Sequence, residues 1–211
     1  NTINNEKSNI ASGTTKLLYG QEFINEKIGD CEFKISANSF FQTNSYQVKT
    51  LYDYIVKTAN FKEDDIVYDL YCGAGTIGIY ISKFVKKVYG IEIVEDAVKD
   101  AKINAKKNNV KNISFYCGDL KDILSTDVMN DILLPSIIIV DPPRPGLHPN
   151  TLKNLLKIKP KKIIYVSCNP ATMARDLEVL ISEQYSIKDL QPIDMFPHTP
   201  HVECVTTLIL N

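Results

Sequence analysis

The sequence lacks the cysteine patterns that hold together small secreted domains or zinc-bound domains. Its five cysteines are odd in number, widely spaced and without any Cys-x-x-Cys pair. This spacing argues against a disulfide framework and against a zinc site, so no metal is predicted. A reducing, cytoplasmic location is the corresponding expectation. The five residues are Cys31, Cys72, Cys117, Cys168 and Cys204.

Long apolar runs and a strong net charge are also missing. No stretch is long and apolar enough to span a bilayer, and no signal-peptide pattern is present. The formal net charge of −1 does not give the whole chain the character of a nucleic-acid binder. Its 211 residues, 44% of them hydrophobic, suffice for one α/β domain with its own core. Since the chain begins with Asn1 rather than Met, we expect a fragment from which an adjacent domain is missing.

The charges are unevenly distributed, because no acidic residue lies between Asp141 and Asp176. We call this segment the basic window, and its local charge is +7. A lysine run of this kind is typical of a solvated helix end, whereas beside a reactive thiol it also fits a surface that faces phosphates. The basic residues are Arg144, Lys153, Lys157, Lys159, Lys161, Lys162 and Arg175.

Apolar periodicity predicts strands that alternate with helices from residue 66 onwards. This order indicates a Rossmann-like, doubly wound, mostly parallel sheet. We expect a catalytic domain at 40–211, preceded at 1–39 by an arm that is the remnant of an adjacent domain. Expected strands are 31–36, 66–71, 88–92, 113–117, 136–141, 162–167, 186–193 and 202–209. Expected helices are 45–59, 76–84, 94–109, one ending near 130, 150–157, and 170–183 with Met173, Leu177, Leu180 and Ile181 inward.

The first motif is a glycine-rich turn, Gly73-x-Gly75-x-x-Gly78, at the carboxyl end of a predicted strand. Ligands of doubly wound sheets bind at this end, and the glycines allow a tight turn and close approach of a ligand. The pattern fits a dinucleotide or S-adenosylmethionine, and it also fits simple packing of a helix against a strand. Glu92 ends the next strand, where a carboxylate accepts hydrogen bonds from ribose hydroxyls.

Two further acids end later strands. Asp141 opens the Asp-Pro-Pro-Arg segment 141–144, and proline fixes the backbone there. Methyltransferases that act on bases or amides often carry such a turn, which favours S-adenosylmethionine over a dinucleotide. Asp119 is placed to meet the adenine edge of the cofactor, or to cap the helix that begins at Leu120.

Cys168 lies between a predicted strand and a predicted helix. Asn169 is a good N-cap and Pro170 a good first helical residue, so the thiol lies at the positive end of the helix dipole. We expect this setting to lower the thiol pKa and to favour the thiolate. The alternative is an inert core cysteine, as free cysteines usually are.

A thiolate beside a methyl donor suggests methylation of a pyrimidine at C5. Addition of the thiolate to C6 makes C5 nucleophilic, and a base must afterwards remove the proton from C5. His198, His201 and Glu203 are the candidate bases near the C-terminus. Glu203 is favoured because it enters an apolar strand, where its pKa would be raised. The alternative is a structural ion pair of Glu203 with Arg144 or Arg175.

Six segments together resemble the RNA 5-methyluridine methyltransferases, the uridine-C5 enzymes of rRNA and tRNA. The resemblance implies the class I S-adenosylmethionine-dependent fold with an antiparallel C-terminal strand. It covers residues 33–211 and rests on FKISANSFFQTN (33–44), DLYCGAGTIG (69–78), GIEIVEDAVKDAKINAKKNN (90–109), VDPPRPGL (140–147), YVSCNPATMARDL (165–177) and DMFPHTPHVE (194–203).

The resemblance also implies roles for single residues. Cys168 is then the nucleophile and Glu203 the base, while Arg144 helps to hold the uridine or its phosphate. Thr76 departs from the pattern, since some relatives carry Asn there. The RNA-binding β-barrel and four-cysteine iron–sulfur site of many relatives are also missing. Cofactor contacts are implied for Gln42, Tyr71, Gly73, Glu92, Asp119 and Asp141.

Three hypotheses follow. The first is an RNA uridine-C5 methyltransferase domain acting on rRNA, foremost 23S rRNA, or alternatively on tRNA. The second is a methyltransferase with another acceptor, such as cytosine C5 or an adenine amino group, and an amino-group enzyme would need neither Cys168 nor Glu203. The third is a nucleotide-binding module without catalysis, which binding of S-adenosylhomocysteine against NAD would distinguish.

Overall fold

A central sheet of parallel strands dominates the computed structural model, which describes residues 16–42, 44–124 and 132–211. In these ranges seven strands pair in the order β5-β4-β3-β6-β7-β9-β8, and a separate hairpin is formed by β1 and β2. The strands are β1 Phe23–Ile28, β2 Cys31–Ser36, β3 Ile66–Leu70, β4 Lys87–Glu92, β5 Ile113–Cys117, β6 Ile137–Val140, β7 Lys162–Ser167, β8 Tyr185–Ile193 and β9 Glu203–Leu210. The helices are α1 Ser45–Ala59, α2 Thr76–Ile81, α3 Glu95–Lys107, α4 Leu120–Ile123, α5 Pro149–Ile158 and α6 Pro170–Glu183, with a 3₁₀ turn at Ser82–Phe84.

The sheet confirms the predicted fold class. The strands β5, β4, β3, β6 and β7 are parallel, and β9 runs antiparallel between β7 and β8. Strand order reverses between β3 and β6, because the chain fills the sheet first on one side of β3 and then on the other. Ligands of such sheets bind at this reversal, beyond the carboxyl ends of the strands. No helix in the described ranges is both long and apolar enough to cross a membrane.

Both faces of the sheet are buried, which is why its central strands are almost purely apolar. All five residues of β3 and all four of β6 are buried. One face packs against α1, α2 and α3, and the other against α4, α5 and α6. In α6 the prediction was right for three of its four inward residues. Ile181 is the exception, because its side chain is 40% exposed on the outer face of the helix.

The hairpin of β1 and β2 was predicted only in its second strand. Residues 23–28 were expected to belong to a polar arm, whereas they pair with 31–36. The free edge of β2 contacts α3 through a side-chain ladder, which we define as Asp100, Asn104 and Asn108. These side chains bond the backbone of Ser36, Lys34 and Glu32 respectively, at 2.7–3.0 Å. The domain boundary near residue 39 stays a prediction, and residues 1–15 lie outside the described ranges.

The helix after β5 is shorter than the predicted one. It ends at Ile123, and the rest of the predicted helix lies at 125–131, outside the described residues. The remaining predicted helices and strands agree with the structure to within a few residues at each end.

Candidate active site

The candidate site lies where β3 and β6 end. Two turns meet there, at 71–75 after β3 and at 141–147 after β6, beside the ends of β7 and β9. Gln42 reaches the same place from the loop before α1 and donates a hydrogen bond to Asp141 Oδ2 at 3.2 Å. The structure therefore brings together residues that are 99 positions apart in the sequence.

Two of the three glycines in the turn are required by close packing, and the third faces open space. A Cβ on Gly75 would lie 2.8 Å from the Phe115 ring, and one on Gly78 would lie 2.9 Å from Asp69 Oδ2. Gly73 differs, since among the described residues the only heavy atom within 4 Å of a Cβ placed there is Phe40 O, at 3.5 Å. Its φ of +52° is a conformation that favours glycine. Only Gly73 thus leaves space for a ligand beside the turn.

Asp69 supports this turn from below and was missed in the sequence. It is fully buried in β3, and its Oδ2 accepts the amide of Gly78 at 2.8 Å. Its Oδ1 has no hydrogen-bond partner among the described residues. Burial raises its pKa from 3.8 to about 7. The signal was an acid in the middle of the buried strand IVYDL, where a charged group is costly.

The raised pKa of Asp69 predicts a pH-dependent stability. Between about pH 4 and pH 7 the folded protein holds a proton that the unfolded chain has released, so stability falls as pH rises. The full effect of this one carboxyl is up to about 4 kcal/mol. We expect wild type to lose more stability than Asp69→Asn between pH 5 and pH 8 in urea unfolding. Equal losses in both proteins would show that Asp69 is ionised in the fold.

Glu92 and Asp119 each make the local contacts of a turn. The two carboxylate oxygens of Glu92 accept the amides of Gly73 and Val94, at 3.0 and 2.8 Å. A carboxylate has about four acceptor positions, so Glu92 still has capacity for ribose hydroxyls. Asp119 directly precedes α4, and its carbonyl accepts the amide of Ile123. Asp119 therefore occupies the N-cap position of α4, as the alternative interpretation expected.

Tyr71 lies at the start of the glycine turn with a φ of +63°, a strained value for a residue with a Cβ. Burial raises the pKa of its hydroxyl to about 12, while Thr151 on α5 acts in the opposite direction. The strain shows that the surrounding contacts hold this ring in place. Thr76, where some relatives carry Asn, shares a hydrogen bond with Tyr52, and the two hydroxyl oxygens are 2.7 Å apart.

Cys168 and Glu203 come together through the register of the sheet. Strands β7 and β9 pair antiparallel up to Ser167 and Cys204, so the next position on each strand holds Cys168 and Glu203. Glu203 is 1% exposed, and its Oε1 has no hydrogen-bond partner among the described residues. Burial, together with the nearby Asp141, raises the pKa of Glu203 as expected. In the described ranges no ion pair joins Glu203 to an arginine, contrary to the alternative interpretation.

The expectation of a lowered pKa at Cys168 is wrong. Burial raises it, and the negative charges of Glu203 and Asp141 add to the effect. The hydrogen bond and charge of Arg144 act in the opposite direction but do not prevail. The N-terminus of α6 is already capped, because Asn169 accepts the amide of Ala171 at 3.2 Å. The raised pKa favours the protonated thiol of Cys168 over its thiolate.

The basic window does not form one surface. Lys161 and Lys162 stand at the amino end of β7, as does Lys159 just before it, whereas Arg144 and Arg175 lie at the carboxyl end. Lys162 donates a hydrogen bond to the carbonyl of Ala59. Burial lowers the pKa of Lys162, and the positive charge of Lys188 lowers it further. The two arginines lie at the turn after β6, where Arg175 donates to the carbonyl of Pro145.

The site fits S-adenosylmethionine. This cofactor has an ammonium group, a sulfonium and two ribose hydroxyls, which require nearby acceptors and negative charge. The turn offers the acidic groups of Glu92 and Asp141, open space beside Gly73, and the unpartnered Oδ1 of Asp69 below. Such an acceptor-rich set suits a cationic ligand rather than the pyrophosphate of a dinucleotide.

The fold and the site together define a class, the class I S-adenosylmethionine-dependent methyltransferases. The chain shares its fold with the tRNA m1G37 methyltransferase of M. jannaschii, with a TM-score of 0.68 at 15% identity, over 95% of this chain and 59% of that one. The chain belongs to the tRNA (uracil-5-)-methyltransferase family, whose model matches residues 8–210. The family resemblance found in the sequence is thereby confirmed.

Individual relatives are similar over nearly the whole chain. An RNA methyltransferase of Oceanobacillus iheyensis is 46% identical over 99% of this chain, and one of Chlorobaculum tepidum is 44% identical over 97%. The match covers 46% and 43% of these relatives, so the chain spans about half their length. The tRNA (uracil-54, C5)-methyltransferase of Pyrococcus abyssi, solved with S-adenosyl-L-homocysteine, has 39% identity and a TM-score of 0.79 over 98% of this chain and 49% of that one.

Proposed function

We propose that this domain transfers a methyl group from S-adenosylmethionine to C5 of a uridine in RNA, through a covalent bond between Cys168 and C6. The observation that carries the proposal is that Cys168, just after the end of β7, and Glu203, at the start of β9, occupy adjacent positions near Asp141. A nucleophile and a buried base beside a cofactor turn are what this chemistry requires. The family and the names of the relatives support the same class of reaction.

The reaction begins when Cys168 releases its proton to water and its Sγ bonds to C6 of the uracil. The electrons of the C5–C6 double bond then move towards C5 and O4. Bound S-adenosylmethionine supplies the electrophilic methyl group that C5 accepts. Glu203 next takes the proton from C5, the C6–S bond breaks, and the thiolate of Cys168 is restored. The raised pKa of Glu203 makes its carboxylate a strong proton acceptor for this step.

Gln42, Tyr71, Gly73, Glu92, Asp119 and Asp141 are proposed to hold the cofactor. For Gln42 and Asp141 the support is their hydrogen bond at the edge where strand order reverses between β3 and β6. For Glu92 it is the hydrogen bond that its carboxylate accepts from the amide of Gly73. The uridine must leave its stack to reach Cys168, so single-stranded or loop RNA is the natural substrate. The cysteine pattern favours a cytoplasmic location, and the sequence resemblance favours rRNA as the RNA class. The Pyrococcus abyssi protein acts on tRNA, which makes tRNA the second candidate.

The decisive test is a trapping experiment. The protein is mixed with S-adenosylmethionine and RNA that contains 5-fluorouridine, whose C5 fluorine cannot leave as a proton. We expect a stable adduct whose peptide map places the RNA on Cys168. Fragments of rRNA and tRNA, offered in parallel, decide the RNA class. If S-adenosylhomocysteine binds but neither RNA gives an adduct, another base is the acceptor.

A further inference from the structure

The turn after β6 is held by side chains of α6, the helix that follows Cys168. The carbonyl of Arg144 accepts two hydrogen bonds, from Asn169 Nδ2 at 3.1 Å and from Thr172 Oγ1 at 3.0 Å. The side chain of the same Arg144 lies close enough to Cys168 for its charge to favour the Cys168 thiolate. The backbone of Arg144 is thus fixed by the helix whose first turn adjoins the nucleophile.

Asp176, one turn further along α6, binds the other end of this segment. Its Oδ2 accepts the amide of Leu147 and the hydroxyl of Tyr165, both at 2.7 Å. Its Oδ1 accepts two nitrogens of Arg175, at 2.9 and 2.7 Å, and Arg175 in turn donates to the carbonyl of Pro145 at 2.9 Å. Asp176 is fully buried, so every one of these bonds replaces lost water.

The backbone at 144–147 lies directly on this pair of charged side chains. Gly146 has a φ of +81°, and a Cβ there would come within 2.6 Å of Asp176 Oδ2 and 2.8 Å of Arg175 Nη2. No side chain larger than hydrogen fits between the turn and the pair. Close contact of this kind leaves the turn no freedom to shift relative to α6.

We propose that Asp176 is a positioning residue of the methyl-transfer site: through Arg175 and the backbone of 144–147 it fixes Arg144 beside Cys168. The inference rests on the proposed function of Cys168 but not on the identity of the RNA. Displacement of a catalytic group by about 1 Å costs on the order of 10²-fold in rate. A buried carboxylate that accepts from two arginine nitrogens and a backbone amide is suited to such fixation, because charged hydrogen bonds are short and directional.

The test measures the reactivity of the Cys168 thiol, which requires no RNA. Three charged groups act on this thiol, Glu203 and Asp141 against deprotonation and Arg144 in favour of it. Iodoacetamide labelling of Cys168 is followed by peptide mapping from pH 6 to pH 10. In Asp176→Asn one carboxylate oxygen becomes an NH2 group, so the side chain can no longer accept from both Arg175 and the amide of Leu147, and the hold on Arg144 weakens. We expect the labelling midpoint to move up by about 1 pH unit, and adduct formation with 5-fluorouridine RNA to slow by on the order of 10²-fold.

Asp189→Asn is the matched control. Asp189 accepts the Thr58 hydroxyl at 2.7 Å and lies on β8 against α1, away from the turn, so its loss weakens the fold without moving Arg144. Thr172→Val removes a single bond to Arg144 and is predicted to give a smaller shift in the same direction, which keeps the test open if Asp176→Asn does not fold. The proposal is overturned if the labelling profiles of Asp176→Asn and Thr172→Val are both identical to that of wild type. It is also overturned if the labelling midpoint of Asp189→Asn moves as far as that of Asp176→Asn. Failure of wild type to form an RNA adduct would instead concern the proposed function.

Discussion

We expect Cys168→Ala to abolish methyl transfer to RNA while binding the cofactor as wild type does. The loss should be on the order of 10⁴-fold or more, because in the proposed mechanism Cys168 forms the bond to C6. Cofactor affinity should change by less than about twofold, since the turn at 71–75 and Glu92 are untouched. Methyl incorporation from labelled S-adenosylmethionine and calorimetric titration with S-adenosylhomocysteine measure the two quantities.

Cys31→Ala is the control for this variant. Cys31 is also a free, half-buried thiol, but it lies in β2 of the hairpin. It should keep its methyl-transfer activity. Retained activity in Cys168→Ala would refute covalent catalysis and favour a methyltransferase that acts on an exocyclic amino group. A large loss of cofactor affinity would show that the residue has a structural role.

Glu203→Gln should trap the enzyme on its substrate. The amide cannot take the proton from C5, so addition and methylation proceed while release of the product slows by about 10²–10⁴-fold. With ordinary uridine RNA, a covalent complex that resists denaturation should accumulate on gels. Wild type should show it only with 5-fluorouridine. The buried position of Glu203 makes Gln the right replacement, because it conserves volume and removes only the charge.

The double variant Cys168→Ala, Glu203→Gln identifies the bond in that complex. It should form no complex with either RNA, which would assign the adduct to Cys168. Normal turnover of Glu203→Gln would mean that another base acts, and His201 is the next candidate. Its ring lies 3.5 Å from the Arg144 guanidinium, measured from Nε2 to Nη2, and the charge of Arg144 also acts on Cys168.

The central sheet could be predicted because its strands are buried on both faces. A run such as IIIV in β6 has no polar side to obscure the signal, and it is followed directly by the Asp141 turn. Since every motif followed a predicted strand, its place at the carboxyl edge was predictable as well. Cys168 and Glu203 were predicted as partners from the chemistry, and the β7–β9 register supplies their proximity.

The hairpin could not be predicted from periodicity, because the residues that stabilise it lie elsewhere in the chain. Strand β1, FINEKI, has three exposed residues, and its pattern reads as polar coil until the contacts with β2 and α3 are known. The same limit applies to the basic window. Its basic residues share one segment of the sequence, whereas the length of β7 separates Lys161 and Lys162 from Arg144 and Arg175.

Charge states were the least predictable part of the site. The helix dipole at Cys168 was visible in the sequence, but burial and two carboxylates from other strands outweigh it. Asp69 was overlooked because its effect depends on complete burial beneath the turn. Both outcomes depend on the three-dimensional surroundings of a single group, which sequence spacing does not record.

The side-chain ladder on α3 has a consequence for how β2 can vary during evolution. Four residues of helix rise about 6 Å and two residues of strand about 6.7 Å, so Asp100, Asn104 and Asn108 match every second residue of β2. All three bind main-chain atoms at these positions. Point substitutions in β2 therefore leave the match intact, whereas insertion of one residue puts the remaining contacts out of phase. The hairpin should tolerate drift in its composition but not in its length.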